Sequence, residues 1–300
     1  MDMFDDRRVV IQPLNKFWYL NKVASIDMLR LDLLHPVVSG NKWYKLRLNM
    51  NYAIDNGFRT IVTFGGGYSN HLAATAYAAK KFNLASVGIV RGKYDILTPT
   101  LQECQNQGMH LIFVTQEDYK NKHEPEWAKS LVAHFDEILI IPEGGANEKG
   151  RAGAGLISRF VHESYSHILV CVGTGTTLIG LRNKLKAHQN VMGFVPMKQG
   201  AYVGDHITAH LQEDKNRNWE LIDDWHFGGF GKWKPELITF MNEFYDVNNI
   251  PLDIVYTSKM MFGLNEMLKD NYFSTCDNIL CIHSGGLQGN SSVKNELIYQ

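Results

Sequence analysis

The chain has 300 residues, of which 45% are hydrophobic, enough for one large or two modest folded domains, and this excludes a disordered protein. Lys and Arg number 30 and Asp and Glu number 31, so the basic excess typical of proteins that bind nucleic acid or anionic membranes is missing. The sequence contains no run of about eighteen apolar residues, which is the length needed to span a bilayer. We therefore expect a small-molecule partner, and neither nucleic acid nor membrane.

The four cysteines, Cys104, Cys171, Cys276 and Cys281, include no C-x-x-C pair and show no metal-ligand spacing with histidine. Cys171 and Cys281 lie in apolar runs, which favours buried thiols. The first eight residues lack the apolar segment of a secretory signal. These features predict a cytoplasmic protein without a metal site.

Short β-branched runs alternate with longer amphipathic stretches, a pattern typical of parallel strands joined by crossover helices. The predicted strands are, in chain order, residues 60–64, 86–90, 110–114, 137–141, 167–172, 191–195 and 278–283. Their near-continuous hydrophobicity indicates burial on both faces of a sheet. The sequence therefore predicts an α/β protein.

Glycine clusters follow several of these strands, at residues 65–67, 144–145, 173–175 and 285–286. An open α/β sheet binds its ligands outside the carboxyl ends of the strands, where glycine lets the backbone turn and approach a ligand. The four clusters together predict one shared crevice.

Lys42 is the candidate for covalent chemistry. It follows Asn41, a good N-cap residue, and helical spacing continues toward Met50 and Ile54. In a partly dry pocket near a helix N-terminus the pKa of a lysine falls, so more of the amine is neutral and nucleophilic. Taken alone, a lysine in a first helical turn is more often a solvated surface cation.

Ser69, Asn70 and His71 follow a predicted strand and three glycines, and they precede an alanine-rich helical stretch. The N–H groups at such a helix start bind a carboxylate, and the three side chains add hydroxyl, amide and imidazole groups. A helix capped after a tight turn explains Ser69 and Asn70 equally well. Both interpretations stay open on the local pattern.

Residues 173–177, with the sequence Gly-Thr-Gly-Thr-Thr, link another predicted strand to a helix. Gly173 and Gly175 allow close approach of the backbone, and Thr174, Thr176 and Thr177 add hydroxyl donors beside a helix N-terminus. The segment lacks the lysine of a nucleotide-triphosphate loop and the third glycine of a dinucleotide loop. It predicts a site for a single phosphate monoester.

In this order along the chain, residues 40–42, 65–71, 173–177 and 255–259 resemble the fold-type II pyridoxal-phosphate enzymes, above all the family of 1-aminocyclopropane-1-carboxylate deaminase and D-cysteine desulfhydrase. The resemblance implies pyridoxal 5'-phosphate as cofactor and a homodimer. It also implies an α/β fold of two open, twisted, mostly parallel-sheet domains with the cofactor in the cleft between them. The implied large domain covers residues 1–45 and 155–300, and the small inserted domain covers residues 46–154.

The resemblance further implies roles for individual residues. Lys42 matches the lysine that holds the cofactor covalently, with Lys45 as the second choice. Ser69 matches a residue that faces the substrate carboxylate, Asn70 one that binds the cofactor 3'-hydroxyl, and Tyr256 a tyrosine near the reacting carbon. The other implied contacts are those of His71 and Asn70 with the substrate and of Gly173, Thr174, Gly175, Thr176 and Thr177 with the cofactor phosphate.

Two positions depart from the family pattern. Thr257 stands where the deaminases have a glutamate against the pyridine nitrogen, and a hydroxyl does not keep that nitrogen protonated as a carboxylate does. Phe230 stands where another tyrosine of the substrate site is expected, and it has no proton to donate. Opening a cyclopropane should need a stronger electron sink than expelling thiolate, so Thr257 favours the desulfhydrase type of reaction. Phe230 leaves open a substrate that is neither of the two named for the family.

The expected enzyme is therefore a deaminating lyase, with hydrolase as a second class, that converts a small amino acid to a 2-oxo acid and ammonia by α,β-elimination. The alternatives on the same fold are cyclopropane ring opening, β-replacement and racemisation, because fold alone does not distinguish them. An alternative of a different class is a metabolite-binding protein without catalysis, in which Lys42 would be an ordinary surface cation.

Overall fold

The computed structural model describes residues 5–198, 200 and 202–299. The strands are β1 Ile11–Pro13, β2 Ser25–Arg30, β3 Thr60–Gly65, β4 Ala85–Arg91, β5 Met109–Val114, β6 Ile138–Ile141, β7 His167–Cys171, β8 Asn190–Phe194, β9 Trp219–Ile222 and β10 Asn278–His283. The helices are α1 Lys16–Tyr19, α2 Asn41–Asp55, α3 Asn70–Lys81, α4 Pro99–Asn106, α5 Pro125–Leu131, α6 Glu148–Gly155, α7 Thr176–Arg182, α8 Tyr202–Thr208, α9 Pro235–Asn248 and α10 Thr257–Lys269. Within these described ranges, no helix has the length and apolar content needed to cross a membrane.

The described chain divides into two compact units. The small unit contains residue 5 and residues 35–38 and 42–153, and the large unit contains residues 6–34, 39–41 and 154–299. The chain passes from the large unit to the small one between Asn41 and Lys42, within the first turn of α2.

The small unit contains a sheet of four parallel strands in the order β5-β4-β3-β6. β3 is buried along its whole length and pairs with β4 from Thr60 opposite Ala85 to Gly65 opposite Val90. Such burial on both faces explains why the strand has no polar alternation. Since all four strands run the same way, the loops after β3, β4 and β6 lie along one edge of this sheet.

The large unit contains a six-stranded sheet in the order β1-β2-β10-β7-β8-β9. β1 pairs with β2 antiparallel, and the other neighbours pair parallel. The loops after β7, β8 and β10 therefore share one edge of the sheet. The apolar core of this unit includes both α9 and α10, with Met260, Met261 and Leu264 of α10 fully buried.

All seven predicted strands are present within one or two residues of their expected bounds, and the α/β prediction is confirmed. The prediction missed β1, β2 and β9. Each of these strands carries polar or half-exposed positions, as Asp27 in β2 and Glu220 in β9 illustrate. A search for continuous apolar runs therefore overlooks them.

Candidate active site

Two lysines lie one turn apart at the start of α2 in the small unit. Lys42 is half-buried, whereas Lys45 is only 4% exposed. Burial lowers the pKa of Lys45 well below its ordinary value, and the charge of Lys42 lowers it further. Such neighbouring amines do not both carry a proton easily, so this helix start favours one neutral, nucleophilic amine.

His71 lies inside the small unit, and it is only 3% exposed. Its Nε2 atom is 3.0 Å from the hydroxyl of Thr63, and that hydroxyl donates to the carbonyl of Ile141 at 2.7 Å. The hydroxyl proton is therefore used, which makes Nε2 the donor and fixes the tautomer of the ring. Burial lowers the pKa of His71 well below its usual range, and Lys42 and Lys45 act in the same direction. The imidazole is neutral and internal.

Ser69 is the N-cap of α3, and its hydroxyl oxygen accepts a hydrogen bond from the backbone N–H of Leu72 at 3.3 Å. Asn70 is the first residue of the helix, and both side chains are half-buried. The helix has twelve residues and begins directly beyond the carboxyl end of β3. The local fold thus leaves the remaining N–H groups of the first turn available to an anion.

Residues 173–177 form a tight loop between β7 and α7 in the large unit. The hydroxyls of Thr174 and Thr176 are 2.8 Å apart and hydrogen bond to each other. Gly175 has a φ of +78°, and a Cβ atom at this position would lie 2.9 Å from Cγ1 of Ile207, so both the backbone and the packing require glycine. No side chain of the described chain caps the first turn of α7.

Asn41 connects the segment before Lys42 to this loop. Its side-chain amide donates to the hydroxyl of Thr177 at 3.0 Å, and both residues are buried. Gly40 has a φ of +63°, and any Cβ atom there would overlap the carbonyl of Ser284 after β10. Glycine at position 40 is thus what lets the segment pass against the end of the central strand.

Tyr256 lies beside the same loop. Its hydroxyl oxygen is 3.6 Å from the place where a Cβ atom on Gly173 would stand. The Phe230 ring packs edge-on against the Tyr256 ring, with 5.8 Å between the centroids. The large unit therefore brings together the predicted phosphate loop, Tyr256 and Phe230.

Thr257 is fully buried, and both of its hydrogen-bond donors are bound by Asp253. Its hydroxyl and its backbone N–H both donate to Oδ2 of Asp253, the latter at 2.8 Å. The other oxygen, Oδ1, accepts from the N–H groups of Val255 and Tyr256 at 3.1 and 2.8 Å. A hydroxyl whose proton is already donated to a carboxylate has no donor left for a ring nitrogen. Thr257 therefore has no proton to donate to the ring nitrogen of the cofactor, and its contact with the cofactor stays a prediction.

Three residues of this region were given no individual role from the sequence, although Lys259 stands in the segment 255–259. They are Asp253, which orders the turn before α10; Ser284, which follows β10; and Lys259, which is buried in α10. Among the described residues nothing hydrogen bonds to the Ser284 hydroxyl. The glycine cluster after residue 283 indicated a ligand edge here, although it marked no individual side chain.

Comparison with known proteins matches a family model described as pyridoxal-phosphate dependent enzyme to residues 27–285. The chain is 31% identical over 283 residues to a Thermotoga maritima protein named "Putative 1-aminocyclopropane-1-carboxylate deaminase", covering 88% of this chain and 89% of the relative. It is 28% identical over 292 residues to the Arabidopsis thaliana "Bifunctional D-cysteine desulfhydrase/1-aminocyclopropane-1-carboxylate deaminase, mitochondrial", covering 87% and 72%. A solved structure of an "ACC deaminase homologue" superposes with a TM-score of 0.83 at 26% identity, covering 97% of this chain and 94% of that chain.

Proposed function

Because the chain belongs to the pyridoxal-phosphate dependent enzymes, we propose that it deaminates a small amino acid by α,β-elimination, as a D-cysteine desulfhydrase does. The family assignment confirms the predicted cofactor, the fold-type II class and the relationship to deaminases and desulfhydrases. It also argues against the alternative of a metabolite-binding protein without catalytic activity. The names of the relatives support a deaminase or desulfhydrase, so the added hydrolase class is wrong.

The residues of the large unit fit the phosphate of this cofactor. Residues 173–177 contain no acidic side chain, and they present hydroxyls next to a glycine turn. The N-cap residue of α7 is Gly175, which offers no side chain to the N–H groups of the first turn. We propose that Thr174, Thr176 and Thr177 bind the phosphate together with the backbone of Gly173 and Gly175. Pyridoxal phosphate, when bound, withdraws electrons from the substrate carbon next to the amino group.

Lys42 is proposed to hold the cofactor covalently through Nζ and, once released by the substrate amine, to take the α-proton. Lys42 is the more accessible of the two lysines at the start of α2, since it is half-buried and Lys45 is only 4% exposed, and this difference supports Lys42 for the role. We place the substrate carboxylate at Ser69 and Asn70, at the N-terminus of α3. Tyr256 is proposed to donate the proton that the leaving group needs. Asn70 as a ligand of the cofactor hydroxyl and His71 as a substrate ligand remain predictions.

The observation that carries the choice of elimination is the absence of an available carboxylate at position 257. Thr257 stands there, and the nearby Asp253 already accepts four hydrogen bonds from residues 255–257. A leaving group that departs easily, such as the thiolate of cysteine, suits such a site better than an unactivated ring. Cyclopropane ring opening is the second candidate, because both named relatives carry that activity in their names.

A substrate panel tests the proposal. Purified protein loaded with pyridoxal phosphate is assayed with D-cysteine, L-cysteine, D-serine and 1-aminocyclopropane-1-carboxylate, and 2-oxo acid, ammonia and sulfide are measured. We expect D-cysteine to give all three products in equal amounts. Turnover of the cyclopropane amino acid alone would establish the second candidate, and turnover only with an added nucleophile would establish β-replacement. The cytoplasmic location and the homodimer remain predictions.

A further inference from the structure

The segment 226–231, called the Phe230 loop here, connects β9 to the approach of α9 in the large unit. Its sequence is His-Phe-Gly-Gly-Phe-Gly, and four of its six residues have positive φ: Phe227 at +54°, Gly228 at +96°, Gly229 at +123° and Gly231 at +69°. The loop lies outside the helices and strands, so no regular backbone hydrogen bonding stabilises it. Its conformation must come from contacts with neighbouring elements.

Lys259 supplies such contacts from α10. Its ammonium donates to the carbonyls of His226 and Gly229, each at 2.9 Å, and lies 3.5 Å from the carbonyl of Pro196. The residue is only 2% exposed, which is unusual for a lysine without a bonded carboxylate. Three carbonyl oxygens match the three N–H donors of an ammonium group. The ammonium thus ties the loop to α10 and to the end of β8.

Two of the carbonyls bound by Lys259 also accept the backbone hydrogen bonds that close the turns of the loop. The His226 carbonyl also accepts from the N–H of Gly229 at 3.0 Å, and the Gly229 carbonyl also accepts from the N–H of Lys232 at 3.0 Å. Lys259 therefore occupies the remaining acceptor sites of two turns that are already closed. It therefore stabilises both turns of the loop, 226–229 and 229–232.

One face of α10 contacts the loop at three positions separated by three residues. Tyr256, just before the helix, packs against Phe230 at 5.8 Å, Lys259 binds the carbonyls, and Phe262 packs edge-on against Phe227 at 5.0 Å. Residues at this spacing lie on one side of a helix. The hydrogen bonds of Lys259 thus lie between the two aromatic contacts, and they fix the position of the loop along α10.

We propose that Lys259 is a positioning residue that fastens the Phe230 loop, so that Phe230 stands against Tyr256 and limits the size of the substrate side chain. This inference rests on the proposed function, since that function places Tyr256 at the leaving group, and the Phe230 ring packs against Tyr256. Burial lowers the pKa of Lys259 to about 8, and the carboxylate of Asp253 acts in the opposite direction. At neutral pH the ammonium form with three donors therefore predominates.

The test compares Lys259→Met, which keeps the buried stem without the donors, with Lys232→Met. Lys232 is an exposed lysine next to the same loop, so its substitution changes charge alone. Hydrogen–deuterium exchange on the holoenzyme measures the loop directly. We expect the amides of Gly229 and Lys232, which close the two turns, to exchange at least about tenfold faster in K259M, because hydrogen bonds to a charged group are each worth more than about 1.4 kcal/mol, or tenfold in an equilibrium constant. K232M should match the wild type.

Kinetics provide the second readout. In K259M, KM for the preferred small amino acid should rise about tenfold with kcat within about twofold, since the groups that react are unchanged. The ratio of kcat/KM for a bulky over a small amino acid should rise by a similar factor. Lys259→Gln, whose amide still reaches part of the carbonyl set, should give intermediate values, and it replaces K259M in every comparison if the methionine variant does not fold.

Unchanged exchange of the loop in K259M would overturn the proposal. Faster exchange with an unchanged ratio between bulky and small substrates would also overturn it, because the lysine would then stabilise the loop without setting specificity. These two results are distinguishable from a failure of the proposed function. In that case no member of the substrate panel is deaminated by the wild type, whereas the exchange experiment needs no turnover.

Discussion

Asn41 donates a hydrogen bond to the hydroxyl of Thr177, 3.0 Å away, and this bond joins the residue before Lys42 to the predicted phosphate loop. Both partners are buried and both belong to the large unit. Lys42 follows Asn41 directly in the chain. We interpret the bond as the contact that holds the residue before Lys42 against the loop proposed to bind the cofactor phosphate.

Replacement of Asn41 by alanine should therefore weaken cofactor binding. Loss of a buried hydrogen bond leaves the Thr177 hydroxyl without this partner, and we expect the Kd of pyridoxal phosphate to rise about tenfold. Titration of the apoprotein, followed by cofactor absorbance, measures it. Asn56→Ala is the matched control, since Asn56 is exposed just after α2 and its side-chain amide donates to the Tyr52 carbonyl of that helix at 2.9 Å. Equal affinities for the two variants would contradict the interpretation.

His71 should remain neutral from pH 8 down to pH 6. Burial, with Lys42 and Lys45 in addition, holds the pKa of this group well below its ordinary value, and the bond to Thr63 places the proton on Nε2. Proton–nitrogen NMR correlation spectra of the histidine rings report both the tautomer and the charge. A ring that protonates within this range, or carries its proton on Nδ1, would show that the geometry is misread.

The lowered pKa of His71 also predicts how the free energy of unfolding changes with pH. Below about pH 6.5 the unfolded chain binds a proton at His71 that the folded chain does not, so the contribution of this group to stability falls as the pH falls. His71→Gln removes the titration. Between pH 7.5 and 5.5 we expect the free energy of unfolding to decline less in H71Q than in the wild type. Parallel declines would contradict the expectation.

Asp32 provides a prediction of stability in acid. Burial alone would raise the pKa of its carboxyl, but His283 and Arg30 outweigh burial and hold the pKa below its usual range. Arg30 donates to both oxygens, at 2.9 and 2.7 Å. A lowered carboxyl pKa stabilises the fold above about pH 4, and this contribution is lost as the pH falls through the folded-state pKa.

Asp32→Asn should thus cost about 3 kcal/mol or more at pH 7, because it leaves a buried guanidinium without its charged partner. The difference from the wild type should shrink at pH 3. Urea denaturation at both pH values measures it. Glu137→Gln is the control, since its ion pair with Arg59 is largely exposed and should contribute about 1 kcal/mol or less. A D32N deficit independent of pH would contradict the pKa argument.

Tyr256→Phe tests the proposed proton donor. The substitution removes only the hydroxyl near Gly173 and keeps the ring contact with Phe230, so we expect kcat/KM to fall about 100-fold while the cofactor spectrum is unchanged. Tyr272→Phe, at an exposed position of the same unit, should leave kcat/KM at the wild-type value. A Y256F enzyme with ordinary turnover would show that another group protonates the leaving group.

The sequence predicted the parallel strands well because a strand buried on both faces, such as β3, leaves an uninterrupted apolar run. Glycine clusters after such strands also indicated where ligands bind. The strands β1, β2 and β9 were missed because their polar positions interrupt the apolar pattern. The expected domain boundaries, with the small domain at residues 46–154, stay predictions.

The site could be predicted only where a local motif marks it. Lys42, Ser69 and residues 173–177 stand at strand-to-helix turns whose pattern is visible in a few residues. Lys259 binds carbonyls 30 and 33 residues before it in the chain, and no local pattern marks such partners. The role first given to Thr257 came from its position in a motif, whereas its hydroxyl proton goes to Asp253, which the motif does not mark.

The central claim is that Lys42 holds the cofactor, and reduction with borohydride tests it most directly. The holoenzyme is reduced, which fixes the carbon–nitrogen bond between cofactor and lysine, and the labelled peptide is identified by mass spectrometry. We predict one label per chain, on Lys42, and none in Lys42→Ala. A label on Lys45 or any other lysine of the unsubstituted enzyme would contradict the account.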